Sequence, residues 1–175
     1  MKYYYLVASL PTLVLGEPVP FGGEALLERA GNFLPAKELE ELRRVVGGRV
    51  REGVSAFSRR WSAADAQLRN AAVRVRAGKR GVEPKEWLRE HEGFDTYIEK
   101  AVADAYAKPD PLERELALDR HRWQMLDEMV LTDPFGFPAV LAWALKLGIA
   151  ARWAALGDDA GRKNVANVLE TMGTV

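Results

Sequence analysis

The sequence predicts an all-α fold, a helical bundle formed by one domain over residues 1–175. Apolar residues recur at three-to-four spacing along several segments, as expected for helices that bury one face. Proline and glycine punctuate these segments at helix starts and ends. The alternation typical of strands is absent except at residues 3–8, where three tyrosines and a valine favour a short extended segment. We therefore expect an irregular or extended lead-in over residues 1–22, followed only by helices.

The periodic segments and their stop signals predict eight helices after the lead-in. We expect them at residues 24–30, 36–46, 55–77, 84–89, 94–107, 111–131 and 138–156, with a last helix that ends near Met172. The strongest start signal is Asp110-Pro111-Leu112-Glu113, because it combines an N-cap aspartate, a proline at the first position and an early glutamate. In the 94–107 helix, the spacing predicts that Phe94, Tyr97, Ile98 and Val102 face inward.

Composition excludes several classes of protein. The chain has 175 residues, of which 48% are hydrophobic, and it carries equal numbers of basic and acidic residues. Such a chain is too apolar for intrinsic disorder. The absence of cysteine excludes disulfides, thiol nucleophiles and thiolate zinc sites. We expect neither a signal peptide nor a membrane span, since the apolar runs are short and interrupted.

Charge is unevenly distributed along the chain. Residues 43–80 contain eleven basic and two acidic residues, whereas residues 81–135 contain seven basic and fourteen acidic ones. The simplest interpretation is that helices of opposite sign lie against each other. Two alternatives remain open: the basic segment 43–80 faces an acidic protein partner, or it binds nucleic acid.

Motifs for catalysis or cofactor binding are absent. The two histidines have no second ligand at metal spacing, and neither a nucleophile elbow nor a phosphate-binding loop is present. We expect a non-catalytic protein without cofactor or metal, whose packed interior leaves no reactive cleft.

One carboxylate interrupts an apolar stripe on the 111–131 helix. The stripe follows the helical period at Leu112, Leu116, Asp119, Trp123, Leu126 and Val130. Since an isolated buried charge is costly, Asp119 must be paired. We predict a structural ion pair with an arginine of the basic helix, either Arg74 or Arg69.

Tryptophans at helical spacing predict core packing for Trp61 and Trp123. Two others flank basic residues on the 138–156 helix, an arrangement suited to a protein interface. The candidate partner contacts are Trp143, Lys146, Arg152 and Trp153.

Several short stretches, taken in order, resemble a known family. They are Tyr3 to Pro11, Leu68-Arg69-Asn70, Arg74-Val75-Arg76-Ala77, the Pro111-Leu112-Glu113 helix start with Leu118-Asp119, and the run Lys146-Leu147-x-Ile149-x-x-Arg152-Trp153. The chain resembles DUF2764, a bacterial family encoded among subunits of V/A-type ATPases and similar to their C subunit, which is called d in the eukaryotic enzyme.

The resemblance implies a helical, non-catalytic protein with a mechanical role. In the C subunit, a helical funnel on the membrane rotor ring receives the central shaft. The implied partners are the shaft subunits D and F and the rotor ring, and the implied location is cytoplasmic and peripheral to the membrane. At 175 residues the chain is much shorter than a full C subunit. The resemblance therefore leaves open whether it replaces that subunit or serves as an assembly or accessory factor.

Overall fold

The computed structural model describes residues 3–156, and this part of the chain is all-α, as predicted. The helices are α1 (Tyr4–Ser9), α2 (Gly23–Gly31), α3 (Ala36–Val46), α4 (Ala56–Arg80), α5 (Thr96–Tyr106), α6 (Pro111–Val130) and α7 (Phe137–Ala155). The predicted last helix, ending near Met172, lies outside the described residues. Among residues 3–156, no helix is both long and apolar enough to cross a membrane.

Capping explains why the two long helices begin and end where they do. The side chain of Ser55 accepts a hydrogen bond from the Ser58 amide at the start of α4. Gly81 ends that helix in the left-handed conformation, with φ +66°, which glycine adopts without strain. At the start of α6, Asp110 accepts from the Leu112 amide at 3.0 Å, with Pro111 in the first turn. The predicted start signal is thus confirmed.

The predicted extended segment at the amino terminus is wrong, because residues 4–9 form α1. Leu6 is fully buried in the core, and the Tyr3 hydroxyl donates to the Glu38 carboxylate on α3 at 2.8 Å. Burial of one helical face outweighs the strand preference of the tyrosines, since β propensity depends strongly on context. Residues 10–22 contain no helix or strand, as the predicted irregular lead-in requires.

The core lies between α3, α4, α6 and α7. Each contributes a leucine that is at most 1% exposed: Leu42, Leu68, Leu126 and Leu141, respectively. Helix α5 packs against both α4 and α6, parallel to α4, since its start lies near Gln67 and its end near Lys79. Helix α5 therefore lies between α4 and α6, and its Ile98 and Val102 belong to the same core.

Two buried amides of α4 hold the connection between α4 and α5. Asn70 donates to the carbonyl of Arg89 at 2.7 Å and accepts from its amide at 2.9 Å. Gln67 does the same with Asp95, at 2.8 and 2.9 Å. Each side chain satisfies both backbone groups of one residue, as a paired strand would. The connection is thus fixed although only Lys85–Trp87, a single 3-10 turn, is helical within the predicted 84–89 helix.

The prediction that Phe94 and Tyr97 face inward is wrong. Helix α5 begins at Thr96, so Phe94 precedes it, and its side chain is 68% exposed. Tyr97 is 76% exposed because the buried stripe of α5 runs through Ile98 and Val102 instead. Two large aromatic side chains therefore lie on the surface near the start of α5.

Candidate functional site

Asp119 of α6 is fully buried, whereas the apolar stripe predicted an ion pair that is only partly buried. Its Oδ1 accepts from Nη1 of Arg122 at 2.9 Å, one turn further along α6. Its Oδ2 accepts from Nε1 of Trp153 at 2.7 Å and from Nη2 of Arg152, both in the last turns of α7. Three donors thus compensate the carboxylate for the water it has lost.

The charged network extends from Asp119 to α4. Nε of Arg122 donates to Oδ1 of Asp65 at 3.1 Å, and Nε of Arg69 donates to Oδ2 of Asp65 at 2.6 Å. Asp65 and Arg122 are each only 13% exposed in their side chains. The network therefore ties α4, α6 and α7 together and contains three guanidinium groups but only two carboxylates.

The predicted pairing of Asp119 with Arg74 or Arg69 is wrong. Arg69 pairs with Asp65, four residues earlier on its own helix, which is nearer than α6. Arg74 pairs with Glu99 of α5 at 3.0 Å, because α5 covers that part of α4. The side chains that do pair with Asp119 come from α6 and α7.

Sequence reasoning missed Arg122 and Asp65, although one signal for Arg122 was present. Arg122 is three residues after Asp119, the spacing at which opposite charges meet on one helix. The spacing of Asp65 and Arg69 was a similar signal for their own pair, but the contact of Asp65 with Arg122 depends on how α4 crosses α6.

A cavity of about 560 Å³ opens beside this network. We call it the Asp119 cavity. Its apolar wall includes Val46 of α3, Trp61 and Leu68 of α4, and Ile149 of α7. The expectation that the interior leaves no reactive cleft stays a prediction, because the cavity alone does not show that a reaction takes place in it.

The hydrogen bonds of Asp119 and Asp65 limit the reactions in which these two carboxylates could take part. Both oxygens of Asp119 and both of Asp65 already accept hydrogen bonds from guanidinium groups. Neither carboxylate is arranged to take a proton from a substrate. Within residues 3–156, no group of three or more histidine, aspartate or glutamate side chains is placed to hold a metal ion. The Asp119 cavity instead presents guanidinium groups, which recognise anions.

The candidate partner contacts on α7 all have partners within the described chain. Nε1 of Trp143 donates to the carbonyl of Pro11 at 2.9 Å. Lys146 pairs with Asp127 and lies 4.9 Å from the centre of the Trp123 ring. Arg152 and Trp153 bind Asp119. Their role as contacts to another protein stays a prediction.

The basic segment 43–80 is partly neutralised within the described chain. The arginines that form ion pairs there are Arg43 and Arg44 with Glu40, Arg49 with Glu52, Arg69 with Asp65, and Arg74 with Glu99. The Arg74–Glu99 pair joins the basic helix to the acidic region, as the interpretation of opposed helices requires.

The comparisons with known proteins bear mainly on α5 to α7. Residues 96–174 match a family model described as "Protein of unknown function (DUF2764)". The match supports the resemblance to the DUF2764 family that the sequence motifs indicated. It covers Asp119, Arg122, Arg152 and Trp153, so most of the buried network lies among the matched residues. No curated protein and no solved structure matches the chain.

Proposed function

We propose that the chain is a non-catalytic subunit or accessory protein of a bacterial V/A-type ATPase, acting at the central stalk between the rotor shaft and the membrane ring. The observation that supports the proposal is the DUF2764 match over residues 96–174. The step from that family to the ATPase C subunit is the resemblance described in the sequence analysis, and it is part of the proposal. The proposal goes beyond the family match, because the description of that family assigns no function.

The buried network suits a part that transmits torque. Asp119 is held from α6 and α7, while Arg122 reaches Asp65 on α4. Relative movement of these helices would separate charges in a poorly solvated interior, which is costly. The three helices therefore resist shear, a property that a mechanical coupling element needs.

A groove between α4 and α6 offers a docking surface for a helix. Helix α5 fills the space between α4 and α6 only from residue 96 onward. Before that point, a groove of about 590 Å³ continues the same space, with Ala63 on one side and Met129 on the other. Along α4 it extends from Ala56 to Gln67, roughly 16 Å at 1.5 Å per residue.

The sides of this groove specify the chemistry of the helix that would fill it. Arg59 and Arg60 line the α4 side, whereas Glu92 and Glu128 line the opposite side. A partner helix would thus carry an acidic edge toward α4 and a basic edge toward α6. Phe94, at the end of the groove, adds exposed aromatic surface of the kind enriched in interfaces.

Co-purification tests this proposal. We expect the tagged chain, co-expressed with the ATPase subunits of its own genome, to recover shaft subunits D and F in stoichiometric amounts. Replacing Ala63 by Glu, which places a charge in the groove, is expected to reduce recovery at least tenfold. Tyr5→Ala, at a 73% exposed tyrosine away from the groove, is the matched control and should leave recovery unchanged. Failure of the wild-type chain to recover any ATPase subunit contradicts the function. Equal recovery by Ala63→Glu contradicts only the docking surface.

Nucleic-acid binding by residues 43–80 is the second candidate, and it rests on their excess of basic residues. Because several of these arginines already pair with carboxylates, we expect RNA and DNA to bind no more tightly than a Kd of about 10 µM at 50 mM salt. Fluorescence anisotropy with a labelled 20-mer measures this. Tight binding that weakens steeply with added salt would favour the nucleic-acid function instead.

A further inference from the structure

We propose that the Asp119 cavity binds a small amphiphilic anion, a carboxylate or phosphate monoester attached to an apolar chain. The proposal is independent of any role in an ATPase. It rests on the convergence of guanidinium groups and apolar side chains in one cavity. A volume of about 560 Å³ is in the range of pockets that enclose small ligands.

The charged end of the cavity has more cationic than anionic groups. Its guanidinium groups come from three helices and are those of Arg69, Arg76, Arg122 and Arg152. The carboxylates facing them are Asp65, Asp119 and the exposed Glu115. Cations therefore exceed anions by one, and a monoanionic head group would balance the site.

Unused donors face the cavity. Arg122 binds Asp65 through Nε and Asp119 through Nη1, which leaves Nη2 without a hydrogen bond among the described residues. Within residues 3–156, Arg76 donates only to the carbonyl of Ala72 on its own helix, at 3.3 Å, and its side chain is exposed. Arg122 of α6 and Arg76 of α4 thus each bring to the cavity a guanidinium group that recognises anionic oxygens.

The rest of the cavity wall is apolar and would contact the alkyl chain of the ligand. Val45, Val46, Leu145 and Ile149 form a surface continuous with Trp61 and Leu68. These side chains come from α3, α4 and α7, so an alkyl chain would fill the gap that these helices leave. A ligand with a head group alone would leave this surface in contact with water.

Gly148 provides a position at which a side chain can be added beside the cavity without a clash at its Cβ atom. It lines the cavity on α7, and a Cβ atom built on it meets nothing within 4 Å. Gly148→Leu should fill the space that the alkyl chain needs, and leucine is also a better helix former than glycine. Ala151→Leu is the matched control, because Ala151 is exposed on the same helix and does not line the cavity.

The experiment is titration calorimetry of the full chain with decanoate and with octyl phosphate, each below its micellar concentration. We expect saturable binding of at least one of them with a stoichiometry near one, and retained binding in Ala151→Leu. Gly148→Leu should abolish binding. Arg76→Gln should weaken it about tenfold, the loss of one charged hydrogen bond, whereas Arg80→Gln, an exposed arginine outside the cavity, should not.

Neutral and short probes complete the test. Decanol lacks the charge and acetate lacks the apolar chain, so each should bind at least tenfold more weakly than decanoate. The proposal is overturned if neither amphiphile binds, if decanol binds as tightly as decanoate, or if Gly148→Leu binds like the wild type. A cooperative thermal unfolding transition is required of each variant. This control separates a loss of binding from misfolding.

Discussion

Replacing Asp119 by Ala is expected to lower the free energy of unfolding by about 3 kcal/mol. The substitution leaves Trp153 Nε1 without its acceptor and removes the buried carboxylate that Arg122 and Arg152 share. Breaking a buried ion pair in this way costs about 3–5 kcal/mol, and we expect the lower end because Arg152 is half exposed and Arg122 keeps Asp65. The melting temperature should fall by roughly 6–12 °C, which differential scanning calorimetry measures.

Asp127→Ala is the matched control for this prediction. Asp127 is also on α6 and also pairs with a cation, Lys146, but its side chain is 59% exposed. Because water solvates the exposed Asp127 carboxylate, we expect its pair with the less exposed Lys146 to contribute only about 1 kcal/mol, so the control should unfold close to the wild-type temperature. Equal effects of the two substitutions would show that the Asp119 network does not stabilise the bundle.

Replacing Glu41 by Gln is expected to destabilise the protein by about 2 kcal/mol at pH 7. Glu41 is a buried residue of α3 whose Oε1 accepts from the Ser55 amide at 3.1 Å and from the Ser58 hydroxyl at 2.6 Å. These bonds join α3 to the start of α4. Hydrogen bonds to a charged group contribute about 1.5–3 kcal/mol, and the neutral amide forfeits much of this.

The effect of Glu41→Gln should depend on pH. Burial acts to raise the pKa of Glu41, but the hydrogen bonds from Ser55 and Ser58 and the charge of Arg44 outweigh it and lower the pKa below its ordinary value of 4.5. A carboxyl group with a lowered pKa stabilises the folded state fully above that ordinary value and progressively less as pH falls through the folded pKa. The difference between wild type and variant should therefore shrink below pH 4.5.

Urea unfolding at pH 7 and at pH 3 measures both effects. Glu40→Gln is the control, since Glu40 is adjacent, exposed, and paired with Arg43, whose hydrogen bond lowers the pKa of Glu40 as well. Glu40→Gln should change the free energy of unfolding little, because water solvates the Glu40 carboxylate in both the folded and the unfolded protein. A Glu41→Gln effect that stays constant between the two pH values would contradict the assigned role of the charge.

Most of the helices could be predicted from local signals, and their contacts could not. Asp110 and Gly81 mark helix ends through interactions within a few residues, so the sequence alone reveals them. The burial of Asp119 also follows from periodicity along α6. Its partners do not, because Arg152 is 33 residues away and its approach depends on how α7 crosses α6.

The errors at the amino terminus and before α5 have a common cause. Leu6 lies in the core, where α1 packs on distant parts of the chain, and Gln67 holds the backbone of Asp95, the residue after the exposed Phe94. Both outcomes depend on long-range contacts that propensity and periodicity do not encode. The cavity escaped prediction for the same reason, since its walls come from α3, α4, α6 and α7 and depend on how these helices pack.

The attachment of Arg152 and Trp153 to Asp119 governs how the protein bears a load. If tension is applied to the chain beyond residue 156, it reaches the middle of α6 through these two side chains before it can peel α7 from the bundle turn by turn. Pulling must therefore break the hydrogen bonds of both Arg152 and Trp153 to Asp119 before α7 separates from α6. These bonds anchor the carboxyl-terminal end of α7 to α6.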